Sequence, residues 1–254
     1  MKNFYRILFF LSSFLFAQTT LAIDYYWVGG TGNWSDVNRW SLTDGGAGGA
    51  GVPGVNDNCF FTNNSFSAAS QTVTLNIANA NCNDMTWTVT TNSPNFASTS
   101  SANNLNIYGN LSMVNTQGTW ATGMNVYFMG TGTKTIHSGG KNFGPVYFAG
   151  TGTWSNQASW NTGNITVSQA ATLNFTNNIT MQQLQVSGAA NITFSALATM
   201  NSDINISSGA TLTFQATSSG TSSWMMINGA GALVDLYANR TFSNGVDLRN
   251  GTLN

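Results

Sequence analysis

Side chains able to do acid–base or thiol chemistry are few in this 254-residue chain: eight Asp, the single His137, and Cys59 and Cys82, with no Glu at all. A serine-type hydrolase needs a nucleophile held against a base, and no G-x-S-x-G elbow accompanies the lone histidine. In TIHSGGKNF, Ile136 is expected to point inward and His137 outward, as an exposed turn residue. GGKN (139–142) invites comparison with a phosphate loop, but Thr135 stands where that motif needs Gly and Asn142 where it needs Ser or Thr. Glycan-cleaving enzymes require paired carboxylates on neighbouring elements, or acid-bound calcium beside a basic residue. Asp36 and Asp57 have a promising spacing but fall in a Gly-rich, irregular stretch, and Asp203, Asp235 and Asp247 have no partner at that spacing. Two Cys and one His cannot build a zinc finger, and D-x-[DN]-x-[DN]-G is missing. No catalytic, cofactor-binding or metal residue is assigned, and the chain reads as non-enzymatic.

Aromatic residues offer a different chemistry, the flat face that packs against a sugar ring. GTGNWSDVNRW (30–40) and GTGTWSNQASW (150–160) share six of eleven positions and bring Trp34, Trp40, Trp154 and Trp160. These four are the candidate glycan contacts, but the favoured reading is structural: they cover a widened turn or an open end of the fold. The phrase itself reads as a turn module used twice.

What must position these residues is a β architecture. Only 6% of residues are charged, while Thr, Asn, Ser, Gly, Val, Ile and aromatics dominate, a composition poor in helix formers. Charge this sparse supplies no electrostatic footprint for nucleic acid. Lys2 and Arg6 precede ILFFLSSFLF (Ile7 to Phe16), and Thr20–Leu21–Ala22 ends in small residues, so residues 1–22 read as a secretory signal peptide. The apolar run is shorter than the about 20 residues a membrane span needs, and no other segment could span a bilayer. The expected location is extracellular or on the outer cell surface. Export to an oxidising compartment makes a Cys59–Cys82 disulfide the expected state, against two free buried thiols.

A period of about twenty residues organises the rest. ITVSQAATLNF (165–175), LQVSGAANITF (184–194) and INISSGATLTF (204–214) align without gaps, and VYFMGTGT (126–133) returns as VYFAGTGT (146–153). Apolar and polar residues alternate within each unit, the signature of half-buried strands, and a fixed period of this length means stacked coils. The fold class is therefore all-β: a parallel β-solenoid, expected as a right-handed β-helix, with coils climbing about 4.8 Å each. Residues 23–56 are expected to form an N-terminal cap and Gly-rich loop, and 57–254 the solenoid. Cys59 and Cys82, about one coil apart, would then come within disulfide reach. Outward pairs Thr172/Asn174, Asn191/Thr193 and Thr211/Thr213 should stack into polar ladders. Such a face is similar to that of ice-binding solenoids, though Asn interrupts the Thr column.

YYWVGGTGNWSDVNRWSLTDGGAGGAGVPGVNDNCFF (25–61) resembles the N-terminal signature of large secreted surface proteins of Bacteroidota, with TKTIHSGGKNFGPVYFAGTGTW resembling their solenoid repeats. The usual pattern carries Val where Cys59 stands and often His where Arg39 stands. The resemblance implies export of the type IX kind, an adhesin-like or structural role, and further modules of a longer chain beyond VDLRNGTLN. The expected partner is an unknown surface ligand, with a glycan as the leading class; no cofactor is implied. A carbohydrate-binding or polysaccharide-degrading β-helix and an ice-binding solenoid are the alternatives.

Overall fold

The computed structural model describes residues 21–113, 118–215 and 220–254; most of the expected signal peptide lies outside them. The chain is a parallel β-solenoid of about nine turns. Its described strands form a twelve-stranded sheet, a nine-stranded sheet and two three-stranded sheets. Each coil passes through two or three short strands, turns a corner, and returns one strand spacing higher, so consecutive passes on any face pair in parallel. Among the described residues there is no α-helix, only the short 3₁₀ turns Val37–Arg39 and Asn63–Ser65.

Alternation drives this. In Ile165–Val167, Leu184–Val186 and Ile204–Ile206 the outer two side chains are buried and the middle one faces solvent. Stacking aligns equivalent residues into files. Ala80, Leu105, Val126, Val146, Ile165, Leu184, Ile204 and Met225 form one inward file of the nine-stranded sheet, each fully buried. On the twelve-stranded sheet, Phe175, Phe194 and Phe214 stack with ring centres 4.9 Å apart at each step. Burying a side chain of this size stabilises by about 1.5–3 kcal/mol, but only when the coils above and below are in place to cover it.

The winding is not uniform. Ile165 stacks on Leu184 and Leu184 on Ile204, the short period read from the sequence. Near the N-terminal end the coils are longer: Cys59 stacks on Met85, and Asn79 on Asn104. The extra length is filled by large rings, with Phe61 and Trp87 stacked at 4.0 Å and Phe96 and Trp120 at 4.6 Å.

That longer winding corrects the expected disulfide. Cys59 lies in Asn58–Phe61 of the twelve-stranded sheet and Cys82 ends Asn79–Cys82 of the nine-stranded sheet. Residue 85, not residue 82, sits one coil above Cys59. The two cysteines meet from different faces and are free, fully buried thiols. A hydrogen bond joins them; burial, then this contact, pushes the Cys59 thiol well above the usual thiol range.

The first strand, Asp24–Trp27, is already in register with the stack, pairing Tyr25 with Cys59. The short strand Trp40–Ser41 then folds back antiparallel against it and closes that edge of the twelve-stranded sheet. An antiparallel flap is a standard means of keeping a solenoid end from pairing with another chain.

Candidate functional site

The four tryptophans named as candidate glycan contacts do not reach solvent. Trp34, Trp40, Trp154 and Trp160 are all 2% exposed or less. Trp34 and Trp40 meet edge to face at 4.9 Å, Trp154 meets Phe148 edge to face at 5.5 Å, and Trp160 meets Phe143 edge to face at 5.3 Å. Trp40 donates its indole N–H to the Trp34 carbonyl at 2.9 Å. They are core residues, and a sugar platform built from them is excluded by burial. Nor are the two copies of the phrase equivalent. Gly32–Asn33 joins the small sheet beside Val73, whereas Thr153–Asn156 runs in the twelve-stranded sheet beside Thr172. Two similar words sit on different faces, so the reused turn module is a similarity of composition.

The polar candidates are also accounted for locally. Asp36 caps its 3₁₀ turn by accepting from Asn38 N–H and lies 3.7 Å from Arg39. Asp57 accepts from Gly54 N–H at 2.9 Å and from Ile23 N–H at 3.2 Å. Asp57 therefore lies level with Ile23, not with Asp36, and the spacing of these two acids does not make them a pair. His137 ends strand Thr133–His137 beside Ser112, with its Nδ1 buried, instead of standing in an open turn. Among the described residues no three His, Cys or Asp side chains converge as a metal site, and no helix is long and apolar enough to cross a membrane.

One solvent-facing recess does combine aromatic and polar groups. It lies on the outside of the nine-stranded sheet, has a volume of about 320 Å³, and is lined by Asp203, Asn205, Trp224, Met226, Asp247 and Arg249. Strand pairing arranges four of these residues and Gly245 as a grid. Asn205 forms the lower row, with Asp203 just ahead of the paired strand; Trp224 and Met226 form the middle row, and Gly245 and Asp247 the upper row. Rows are about 4.8 Å apart and columns about 7 Å, as strand geometry dictates. Met225 and Ile227 point into the core between these outward residues.

A bulge creates the recess. Gly220–Ile227 and Arg240–Leu248 are longer than their neighbours and pair in parallel until the register slips between Ser222 and Trp224. Ser222 faces Phe242, yet Trp224 faces Gly245, so the later strand carries one extra residue there. Bulges re-aim side chains, and Asn244 fastens this one by donating to Ser223 Oγ at 2.8 Å. Gly245 has φ +117°, a conformation that side chains oppose. A Cβ built there would meet only the Trp224 ring, at 3.6 Å. The upper row is thus open above the indole, which is 43% exposed. Arg249 donates through Nε and Nη2 to the same Asp247 oxygen, at 2.9 and 2.8 Å. That hydrogen bond is the main reason the guanidinium pKa is raised.

Behind the bulge, Arg240 holds the last coils together. Its guanidinium donates to the Ala198 carbonyl at 3.1 Å and Ser222 Oγ at 3.0 Å, and covers the Phe214 ring. Burial lowers its pKa to about 10, which leaves it charged at neutral pH. A second, more polar recess of about 240 Å³ adjoins it, lined by Met200, Asn201, Thr221, Ser222, Ser223, Thr241 and Ser243.

The outward polar ladders form as expected. Thr153, Thr172, Asn191 and Thr211 make one file of the twelve-stranded sheet, and Ser155, Asn174, Thr193 and Thr213 the neighbouring one. On the nine-stranded sheet the outward file contains Tyr127 and Tyr147, stacked at 4.4 Å, a contact the sequence reading passed over.

Trp224 was also passed over, although a signal for it existed. Met225 and Ile227 continue the inward file of Ile204 and Ile206, which forces Trp224 to the outer face. No family model, curated protein or solved structure matches the chain.

Proposed function

We propose that the protein is an exported, non-enzymatic β-solenoid that serves as an adhesin-like or structural element at the cell surface or outside the cell. The observation that carries this reading is the pair of outward files from Thr153 to Thr211 and from Ser155 to Thr213. Such a face repeats a hydroxyl or amide at every step of about 4.8 Å. It suits many weak contacts in register, which sum to avidity without a deep pocket. The signal-like N-terminus and the resemblance of residues 25–61 to secreted Bacteroidota surface proteins support export.

The non-enzymatic part of the reading rests on where the acids lie. Asp36 and Asp57 hold loops. Asp203 and Asp247 stand two coils apart, roughly 10 Å along the axis with a further lateral offset, and Asp247 is engaged by Arg249. Carboxylate pairs that cleave glycosidic bonds sit about 5–9.5 Å apart. A carbohydrate-binding reading is the second one, favoured by the exposed Trp224 in its recess.

The test compares beads coated with the protein and the free protein on polysaccharide particles and on mucin. Retention of the beads well above that of the free protein supports an avid scaffold. Absence of bead retention on every surface, or catalytic release of reducing or unsaturated sugar ends, would overturn it.

A further inference from the structure

The geometry points to the recess around Trp224 as a binding site for an uncharged pyranose unit of a glycan, a proposal that rests on the adhesive reading above and names its ligand class.

Two features of the grid argue for a sugar. Its middle row is apolar, an indole followed by a Met side chain. The C–H face of a pyranose packs on such a surface, and tryptophan is the largest of the aromatic platforms. The rows above and below carry Asp203, Asn205 and Asp247. Asn205 and Asp247 lie one strand spacing below and above Met226, diagonal to the indole, within reach of the hydroxyls of a ring that spans Trp224 and Met226. Carboxylates accept from hydroxyls at two oxygens, and hydrogen bonds to a charged group are stronger than those between neutral groups.

Space and charge narrow the class further. Gly245 occupies the position one coil above Trp224, where any side chain would roof the indole. The strand therefore bulges and uses a backbone conformation open to glycine at the one point where a ligand must descend. Two aspartates against one arginine give the rim a net negative charge, and that arginine is already bound to Asp247. An acidic sugar would bring like charge against both carboxylates; a neutral hexopyranose would not. Trp224 is 43% exposed while its neighbour Met225 is fully buried, and aromatic side chains of this kind dominate the contact energy of binding surfaces.

Isothermal titration and intrinsic fluorescence with cellohexaose, mannohexaose, xylohexaose and hexa-N-acetylchitohexaose, with hexagalacturonate as the acidic probe, would test this on the wild type, Trp224→Ala and Trp224→Phe. Binding of at least one neutral probe is expected, weakened roughly tenfold or more in Trp224→Ala and partly restored in Trp224→Phe. The three proteins should share one melting temperature, because the indole packs on the surface. Equal binding by wild type and Trp224→Ala would overturn the site while leaving the adhesive reading in place. Preference for hexagalacturonate would overturn the neutral-sugar class. If no probe binds even the wild type, the site is wrong; bead retention on mucin would then decide the adhesive reading separately.

Discussion

The guanidinium carbon of Arg240 lies 4.0 Å from the centre of the Phe214 ring, at the head of the file of stacked rings that runs through Phe194 and Phe175. A cation thus finishes an aromatic column, held over the ring by Ala198 and Ser222.

Replacing Arg240 by Met removes the cation–π contact and leaves the Ala198 carbonyl and Ser222 hydroxyl without this donor. A loss of about 2 kcal/mol is expected, felt mainly in the last coils because each coil leans on its neighbours. Hydrogen exchange should quicken in Gly220–Ile227 and Arg240–Leu248 and stay unchanged around Trp87. Arg240→Lys should restore little, since an ammonium lacks the planar fork that covers a ring and bonds two acceptors together.

Cys59 makes stability depend on pH. Its folded-state pKa is raised, first by burial and then by Cys82. The unfolded chain therefore loses the thiol proton from about pH 8.5 upward, while the folded chain retains it. Below that pH the group contributes no slope; above it, stability falls as pH rises toward the folded pKa. Cys59→Val, matching the residue usual in the resembling pattern, should remove this component. Urea midpoints for the two proteins at pH 7, 9 and 10 should diverge progressively, with the wild type losing more.

Gly245→Ala places a Cβ at φ +117°, against the Trp224 ring. Strain at such a position costs on the order of 1–3 kcal/mol. The variant should melt lower and show altered quenching of the exposed tryptophan by acrylamide. Gly123, by contrast, has open space around it, and Gly123→Ala should leave both readouts close to wild type.

Leu184→Ala opens a cavity in the file between Ile165 and Ile204, and a cost of about 2–5 kcal/mol is expected. Its outward neighbour Gln185 should tolerate Ala within about 0.5 kcal/mol. Thermal or denaturant unfolding of the pair checks the assignment of faces directly.

If residues 1–22 are removed as a signal peptide, Ile23 becomes the amino terminus, and its nitrogen already lies 3.2 Å from Asp57 Oδ1. Mass spectrometry of protein recovered outside the cells should find a first residue at Ile23. Asp57→Asn should then lower stability more in the processed protein than in one with an added N-terminal extension.

Much of this was legible because a solenoid writes its core in parity. The alternation in Ile165–Val167 and Leu184–Val186 fixes which side chains face inward, and equal spacing fixes what stacks on what. Failure came where either rule bends. The N-terminal coils are longer, so Cys82 faces Cys59 across a corner instead of standing above it. Trp154 sits in a phrase that reads as a turn, although Leu173 beside it marks an inward file. Trp224 is legible only through the parity set by Met225, which faces inward and so turns its neighbour outward. The bulge at Gly245 has no signature beyond a glycine in a chain that has many, and the recess depends on it.

Parallel pairing between successive coils also dictates how this molecule would meet a mechanical load. The interstrand hydrogen bonds lie along the rod, so a tug on the final strand, Gly251–Leu253, strains one rung at a time and peels the coils like tape from a roll. A force directed across the rod, along the strands, strains every rung of a coil together.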